Sequence, residues 1–303
     1  MAKDEVYVKP KIKDERGFHN VAMVLMILLA IYSVLPFFLM LSISLSSEAS
    51  LSLQGYHFIP KEFSTAAYSY LWAKRMTIGR CYLLTILVTV VGTVSNLVLT
   101  SLFAYPLSRQ DFKQRNLFAF ILFFTMLFNG GLTASYIIWT QIFHIKNTIW
   151  ALILPTLIMN GFYVILYKNN FATNIHPALI EAAKIDGASE WTIYFKIVLP
   201  LSLPILATVG LMVALGYWND WTNGLYYITE QRLYSLQLLL KSIIDNIRNL
   251  ASLSVNTGSA AAQMPSISIR MAMAVIGVIP IMALYPFFQK VFVAGISLGG
   301  VKE

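Results

Sequence analysis

The residue types that most often do chemistry are few in this chain and scattered. His19, His57, His144 and His176 fall in four separate segments, with neither an HExxH pair nor a Cys/His ligand spacing. Cys81 stands alone and excludes an internal disulfide. No glycine-rich loop of the Walker type is present. One short pattern matches a nucleophile motif, Gly295-Ile296-Ser297-Leu298-Gly299. In that motif's fold the acid and the His follow the Ser in the chain, and here only four residues, none of them His, follow Gly299. Proton-coupled carriers keep an Asp, Glu or His in mid-membrane, and the apolar runs of this chain offer only His19 and His144, both near run ends. The chain is therefore read as no enzyme, and the energy for any transport is expected to come from outside it.

The elements that must carry these residues are set by composition. Of 303 residues, 57% are hydrophobic and 12% charged, with a mean hydropathy of +0.67, far from the soluble balance. Between charges lie apolar runs at 17–47, 81–108, 116–145, 147–167, 197–219 and 271–289. Each can hold the roughly 20 residues of a spanning helix. The uncharged run 249–269 is small and polar and reads as a loop. The sequence thus predicts an all-α integral membrane protein with six transmembrane helices, or an odd count if the third run breaks at Asn129-Gly130-Gly131. The polytopic domain is 21–293, between an N-terminal segment 1–20 and a tail 294–303.

Val21 to Leu45 is longer than a signal core and lacks a small-residue cleavage site, so the first run reads as an uncleaved span. The short basic loop SRQDFKQRN (108–116) is expected in the cytoplasm, and with six spans both termini lie there too. The net charge of +8 is scattered along loops, which suits orientation and attraction to anionic membrane lipid rather than nucleic acid.

One stretch breaks the apolar pattern: EAAKIDGASEWTIYFKIVLPLSLP, 181–204. Pro177 suits the first turn of a helix, and Glu181 is expected in or near that turn, where negative charge is favoured. Gly187 provides a turn with positive φ, Ser189 can cap a second helix to about Ile197, and Pro200 and Pro204 open the fifth span. Pattern alone leaves two readings, a connector helix in the headgroup layer and a knob for a groove on a soluble partner.

The residues of this stretch resemble the EAA loop of permease subunits in binding-protein-dependent ABC importers, through Glu181, Ala182, Ala183, Gly187, Ile197, Leu199 and Pro200. "PKEFSTAAYSYLW", "LFNGGLTASY", "GYWNDWTNGLYYI" and "YPFFQKVFVAGISLGGVK" further resemble the carbohydrate-uptake branch, near the shorter permease of maltose-type transporters and its oligosaccharide subgroup. The likeness runs from about residue 20 to the end. Two departures are Leu132-Thr133-Ala134-Ser135-Tyr136, where relatives often read L-I-P-T-Y, and the Lys302-Glu303 ending, where they often have Lys-Gly. Amino-acid, metal and polyamine permeases share the EAA pattern, and the C-terminal stretch favours carbohydrate.

The resemblance implies a type I importer permease in the bacterial cell membrane, with a cytoplasmic coupling helix in a loop at 174–199. It implies a second, different permease, two ATPase subunits that hold ATP and Mg, and an extracellular binding protein, with no cofactor in this chain. Glu181, Ala182, Ala183, Asp186, Gly187, Ile197, Leu199 and Pro200 would form the ATPase-coupling element, with Glu181 facing a basic residue of the ATPase. Gly299, Gly300, Val301 and Lys302 would give a second contact, or a solvated tail. A rigid continuation through Pro200 into the fifth span would turn ATPase closure into outward opening. The family also suggests a sugar route along spans three to five, with Asn129, Asn160, Tyr217, Trp218, Asn219 and Trp221 as candidates. The aromatics equally suit an interfacial belt and the asparagines interhelical hydrogen bonds.

Overall fold

The computed structural model describes residues 13–155, 159–257 and 267–299, and every regular element among them is helical. In chain order these are α1 (Lys13–Ser44), α2 (Glu48–Gln54), α3 (Ala66–Ala73), α4 (Arg75–Ser108), α5 (Arg115–Leu127), α6 (Gly131–Ile137), α7 (Trp150–Ile153) and α8 (Gly161–Asn174). There follow α9 (Pro177–Ile185), α10 (Glu190–Ile193), α11 (Leu199–Leu201), α12 (Leu203–Trp218), α13 (Thr222–Tyr227), α14 (Leu236–Thr257) and α15 (Ile267–Gly299). Wide π-helical turns extend α6 over Ile138–Ile142 and join α10 to α11 over Tyr194–Val198. The described residues fall into two compact units, within Met1–Tyr70 plus Gln263–Val275 and within Leu71–Ala262 plus Ile276–Glu303.

In the first unit, Gly17–Ser44 of α1 is apolar and long enough to cross a bilayer, and its side chains from Phe18 onward are mostly exposed. Its C-terminal end is tied down by hydroxyls: Ser42 Oγ donates to the His57 carbonyl at 2.7 Å, and Ser44 and Tyr68 share a bond of 2.9 Å. Ser47 caps α2 by accepting from the Ser50 amide. The Glu48 carboxylate accepts from the amides of Ile267 and Ser268 and from the Ser268 hydroxyl, at 2.9 to 3.2 Å. It therefore satisfies orphan donors at the start of α15 and puts negative charge where the helix dipole favours it.

The second unit is built round α4, whose 34 residues pack against α8 and α12. The buried positions of α4 include Cys81, Thr85, Val88, Gly92, Asn96, Thr100, Ala104 and Leu107, spaced three or four apart on one face. Most are small, so neighbouring backbones come close, as helix association in lipid requires. At Gly92 the approach is closest: a β-carbon there would overlap the ring of Tyr217. The Tyr217 hydroxyl donates to the Ile153 carbonyl at 3.0 Å, which fixes α7 to the same place. Asn147, at positive φ, receives the Thr229 amide at 2.7 Å and donates its own to the Tyr227 carbonyl, closing the segment before α7 onto the end of α13.

Several sequence expectations change. The third run is broken where Asn129-Gly130-Gly131 had left the matter open: Arg115–Leu127 and Gly131–Ile142 meet at 113°. Asn129 Oδ1 accepts from the Gly131 amide, and Gly131 takes a φ of +80° that a side chain would disfavour. The fourth run, 147–167, is not one helix, because Pro155 lies inside it; α7 stops at Ile153 and α8 begins only at Gly161. The fifth is bent by 79° between Glu190–Leu201 and Leu203–Trp218, where Pro200 and Pro204 each lack an amide to donate. The continuation through Pro200 is thus a corner, not a straight rod. Residues 249–257, expected in a loop, belong to α14, whose apolar residues recur at 236, 240, 243, 247 and 250; the rest of that loop to 266 lies outside the described residues.

The close approach at Gly92 yields a test. Gly92→Ala forces the Tyr217 ring away and overpacks the α4–α12 contact, at a cost of about 1 to 3 kcal/mol, so its thermal unfolding in mild detergent moves to lower temperature. Gly79→Ala, whose new β-carbon meets nothing within 4 Å, leaves the transition where it was. Equal transitions for the two variants would remove α4–α12 packing as the basis of the unit.

Candidate coupling site

The stretch 176–201 folds as two short helices joined by a closed turn. His176 Nδ1 accepts from the Ala178 amide and Pro177 occupies the first turn of α9, where a missing amide costs nothing. At the other end the Ala188 amide donates to the Ala183 carbonyl and the Gly187 amide to that of Lys184, at 2.9 and 3.0 Å. This paired bonding is a Schellman closure with Gly187 at φ +75°, the position that only glycine takes cheaply. Ser189 Oγ then accepts from the Thr192 amide at 3.2 Å and starts α10, with Glu190 in its first turn. Glu181 lies near the first turn of α9 but not in it. It is the fifth residue of α9, past the first turn, so the helix dipole gives it no special stabilisation.

The motif residues separate by face. Glu181, Ala182, Asp186, Gly187 and Pro200 are exposed, while Ala183, Ile197 and Leu199 are half-buried against the core formed with Ile180, Ile193, Tyr194 and Val198. The outward face also carries large apolar groups. Ile185 is 87% exposed, and Leu179, Trp191 and Phe195 are exposed with it, the last two stacked with ring centroids 6.1 Å apart. The pair therefore presents an apolar surface bearing the carboxylates of Glu181 and Asp186, held in shape by the His176 and Ser189 caps and the closure at Gly187.

Beside it lies an ionic cluster that sequence reasoning missed. Arg109, 14% exposed at its side chain, grips Asp111 with Nε and Nη2 at 3.0 and 2.6 Å. Lys184 Nζ lies 3.0 Å from both Asp111 and Glu190, and the Tyr105 hydroxyl donates to Glu190 at 2.7 Å. Hydrogen bonds from Arg109 foremost, and from Lys184, hold the Asp111 carboxyl well below its ordinary value. Burial pulls the Glu190 carboxyl upward, but the bonds from Tyr105 and Lys184 and the Arg109 charge together leave it lowered. The bonds to Glu190 and Asp111 raise the Lys184 amine. Carboxyls with lowered values keep their contribution above the ordinary carboxylate range and lose it only in stronger acid; the raised amine loses its own only in stronger alkali. The cluster stays paired across the neutral range. Its one sequence signal was the alternation of Arg109 and Asp111 in a loop read only for orientation.

The route candidates are placed as follows. Tyr217 is 2% exposed, and Trp218, 4% exposed, donates from Nε1 to the Gly277 carbonyl at 3.2 Å with Tyr82 packed beside it. Asn160 caps α8 through the Phe162 amide, Asn129 holds the Gly131 turn, and Asn219 Nδ2 donates to the Leu215 carbonyl. All three asparagines are exposed, as is Trp221, over whose ring Lys241 Nζ stands at 5.6 Å. Asp220, between α12 and α13, caps α13 through the Thr222 and Asn223 amides; burial raises its carboxyl against those bonds. Gly299 ends α15, and Gly300, Val301 and Lys302 lie outside the described residues. Gly295 to Gly299 are helical, which is not the strand-to-helix elbow that a nucleophilic Ser needs. Among the described residues no His, Cys, Asp and Glu gather as metal ligands.

The turn makes a direct prediction. Gly187→Val places a β-branched residue at positive φ, with strain of about 1 to 3 kcal/mol, and opens the closure between α9 and α10. Trypsin should then cut after Lys184 faster in the variant, while the thermal transition of the α4–α8–α12 core stays put. Equal cutting rates would show that the closure does not hold the pair.

A family model for binding-protein-dependent transport system inner membrane components matches residues 18–298. The chain is 38% identical over 277 residues to the polygalacturonan/rhamnogalacturonan transport system permease protein YtcP of Bacillus subtilis, covering 91% of this chain and 95% of that one. It is likewise 38% identical over 272 residues to the B. subtilis protein LplC, covering 89% and 90%. Among solved structures, it superposes with a TM-score of 0.76 and 28% identity on a crystal structure of a bacterial ABC transporter involved in the import of the acidic polysaccharide alginate, covering 93% of this chain and 99% of that one. With the family model spanning nearly the whole chain and the capped helix pair standing where the EAA motif lies, this protein belongs to the family of inner membrane components of binding-protein-dependent transport systems.

Proposed function

We propose that this chain is one of two different permease subunits of an ATP-driven importer for an oligosaccharide, and that α9 and α10 are its coupling element. The observation that carries the reading is the helix pair itself: a Schellman-closed, Ser-capped knob with an apolar outer face, outside the apolar runs. Its occupant is a cleft on each importer's ATPase, which holds ATP and Mg. Glu181 and Asp186 face a basic rim there, and Ile185 and Trp191 fill its floor. An extracellular binding protein delivers the solute. Six crossings, with both termini cytoplasmic, accommodate two straight spans, the bent third and fifth, the α7–α8 segment and α15.

The substrate class is drawn from the relatives, of which YtcP is named for polygalacturonan and rhamnogalacturonan transport and the solved transporter for alginate import. All three named polysaccharides carry carboxylates, so an oligosaccharide containing uronate is the first solute to test. On the route, Asn129, Asn160, Asn219 and Trp221 offer exposed amides and an aromatic face, while Tyr217 and Trp218 hold the wall behind them. The tail of Gly299, Gly300, Val301 and Lys302 gives the ATPase its second contact.

The test is uptake by the assembled transporter in proteoliposomes, with its partner permease, ATPase and binding protein. ATP-dependent accumulation of oligogalacturonate above that of a neutral malto-oligosaccharide is expected. Accumulation of an amino acid or polyamine, with no oligosaccharide transported, would overturn the reading.

A further inference from the structure

Motion of the coupling pair has two structural continuations. Along the chain it meets the 79° corner at Ser202 before α12. A push along α10 is therefore not delivered axially to the fifth span. Across space it meets the end of α4 and the loop that follows it, far from the pair in sequence: Asp111 of that loop and Lys184 are 73 positions apart yet bonded at 3.0 Å.

Alongside the core that Ile193 and Tyr194 share with Ala104, a set of polar groups connects the pair to the end of α4. Glu190 takes a hydrogen bond from Tyr105 of α4 and lies 3.9 Å from the Arg109 guanidinium, while Lys184 bridges Glu190 to Asp111. Arg109 Nη1 also donates to the Tyr105 hydroxyl at 3.2 Å. One turn deeper, Ser101 and Tyr194 share a buried hydrogen bond of 2.7 Å, and the Tyr105 and Tyr194 rings lie 5.5 Å apart. Apolar packing does not complete this joint. A cavity of about 400 Å³ opens on one side, bounded by Leu102, Pro106, Phe112 and Trp191, and one of about 220 Å³ on the other, bounded by Gln110, Ile175, Ile180 and Glu181. Single exposed ion pairs contribute little. Here the bidentate grip of a largely buried Arg109 and the sharing of Lys184 between two carboxylates link them into one network, which gives register as well as attraction.

We propose that Asp111 and Lys184 are positioning residues of a latch that locks the coupling pair to the end of α4, so that ATPase-driven motion enters the membrane through α4 as well as through α12. The latch rests on the coupling reading given above. Because α4 carries the small-residue face on which α8 and α12 pack, a shift of α4 moves both neighbours together. The two cavities leave room for the pair to tilt about the polar joint without breaking it.

The experiment is solute transported per ATP hydrolysed, in proteoliposomes holding the whole transporter. Asp111→Asn and Lys184→Gln are each expected to lower this ratio by about fivefold or more, with complex recovery and basal ATP hydrolysis at wild-type level. The double variant should be no worse than either single one, since both remove the same joint, and Lys184→Arg should retain the ratio. An unchanged ratio in both singles, or losses that multiply in the double variant, overturns the latch. So does loss of complex recovery in both, because the cluster would then be needed for assembly. Gly187→Val separates the two ideas: if it uncouples while Asp111→Asn does not, only the latch fails; if it leaves coupling intact, the coupling reading itself fails.

Discussion

Lipid gives apolar helices little hydrophobic reason to associate, so α4 gains its neighbours by letting them come close. Its inner face of Thr85, Val88, Gly92, Asn96, Thr100 and Ala104 leaves room for a tyrosine ring at Gly92, while Gly210 of α12 receives Leu97 of α4. Tyr217 uses that room twice, filling the space over Gly92 and bonding the Ile153 carbonyl of the broken fourth run. Through this contact α7 of the broken fourth run is held to α4 and α12. Asn129, Asn147, Asn160 and Asp220 then supply local acceptors for the backbone donors that each break exposes.

The same helix connects that membrane core to the coupling pair. The turn at Gly187 and the cap at Ser189 make α9 and α10 a body of fixed shape, with Ile180, Ile193 and Val198 buried beneath it. Its outer face keeps Ile185 and Trp191 in solvent, which is an arrangement suited to a partner surface and costly without one. The polar joint at Arg109, Asp111, Lys184 and Glu190 lies between the two levels. On the proposed reading, displacement passes from the body of fixed shape through the polar joint to the close-packed helix.

Much of this was legible in the residues. Pro177, Gly187 and Ser189 announced the helix, turn and helix because each has a local reason that tertiary context does not override. The apolar runs announced membrane helices but not their continuity. Pro155 interrupts the fourth run, but hydropathy sums over a window and ignores a single missing amide. The corner at Ser202 needed two prolines read as a pair. Glu181 lies near the first turn of α9, as expected, but just past it. The latch was beyond sequence reasoning for a different reason: Asp111 and Lys184 meet only because α4 and the coupling pair lie side by side, and nothing local to either residue signals it.

The central claim is that the outer face of α9 and α10 docks on an ATPase, and Ile185 is the residue to ask, being 87% exposed at the end of α9. A photo-crosslinking amino acid at position 185, activated in the assembled transporter in its membrane, reports what lies against that face. The account predicts a crosslink to the ATPase subunit whose yield changes when ATP is trapped. Crosslinks confined to lipid or to the partner permease would contradict it.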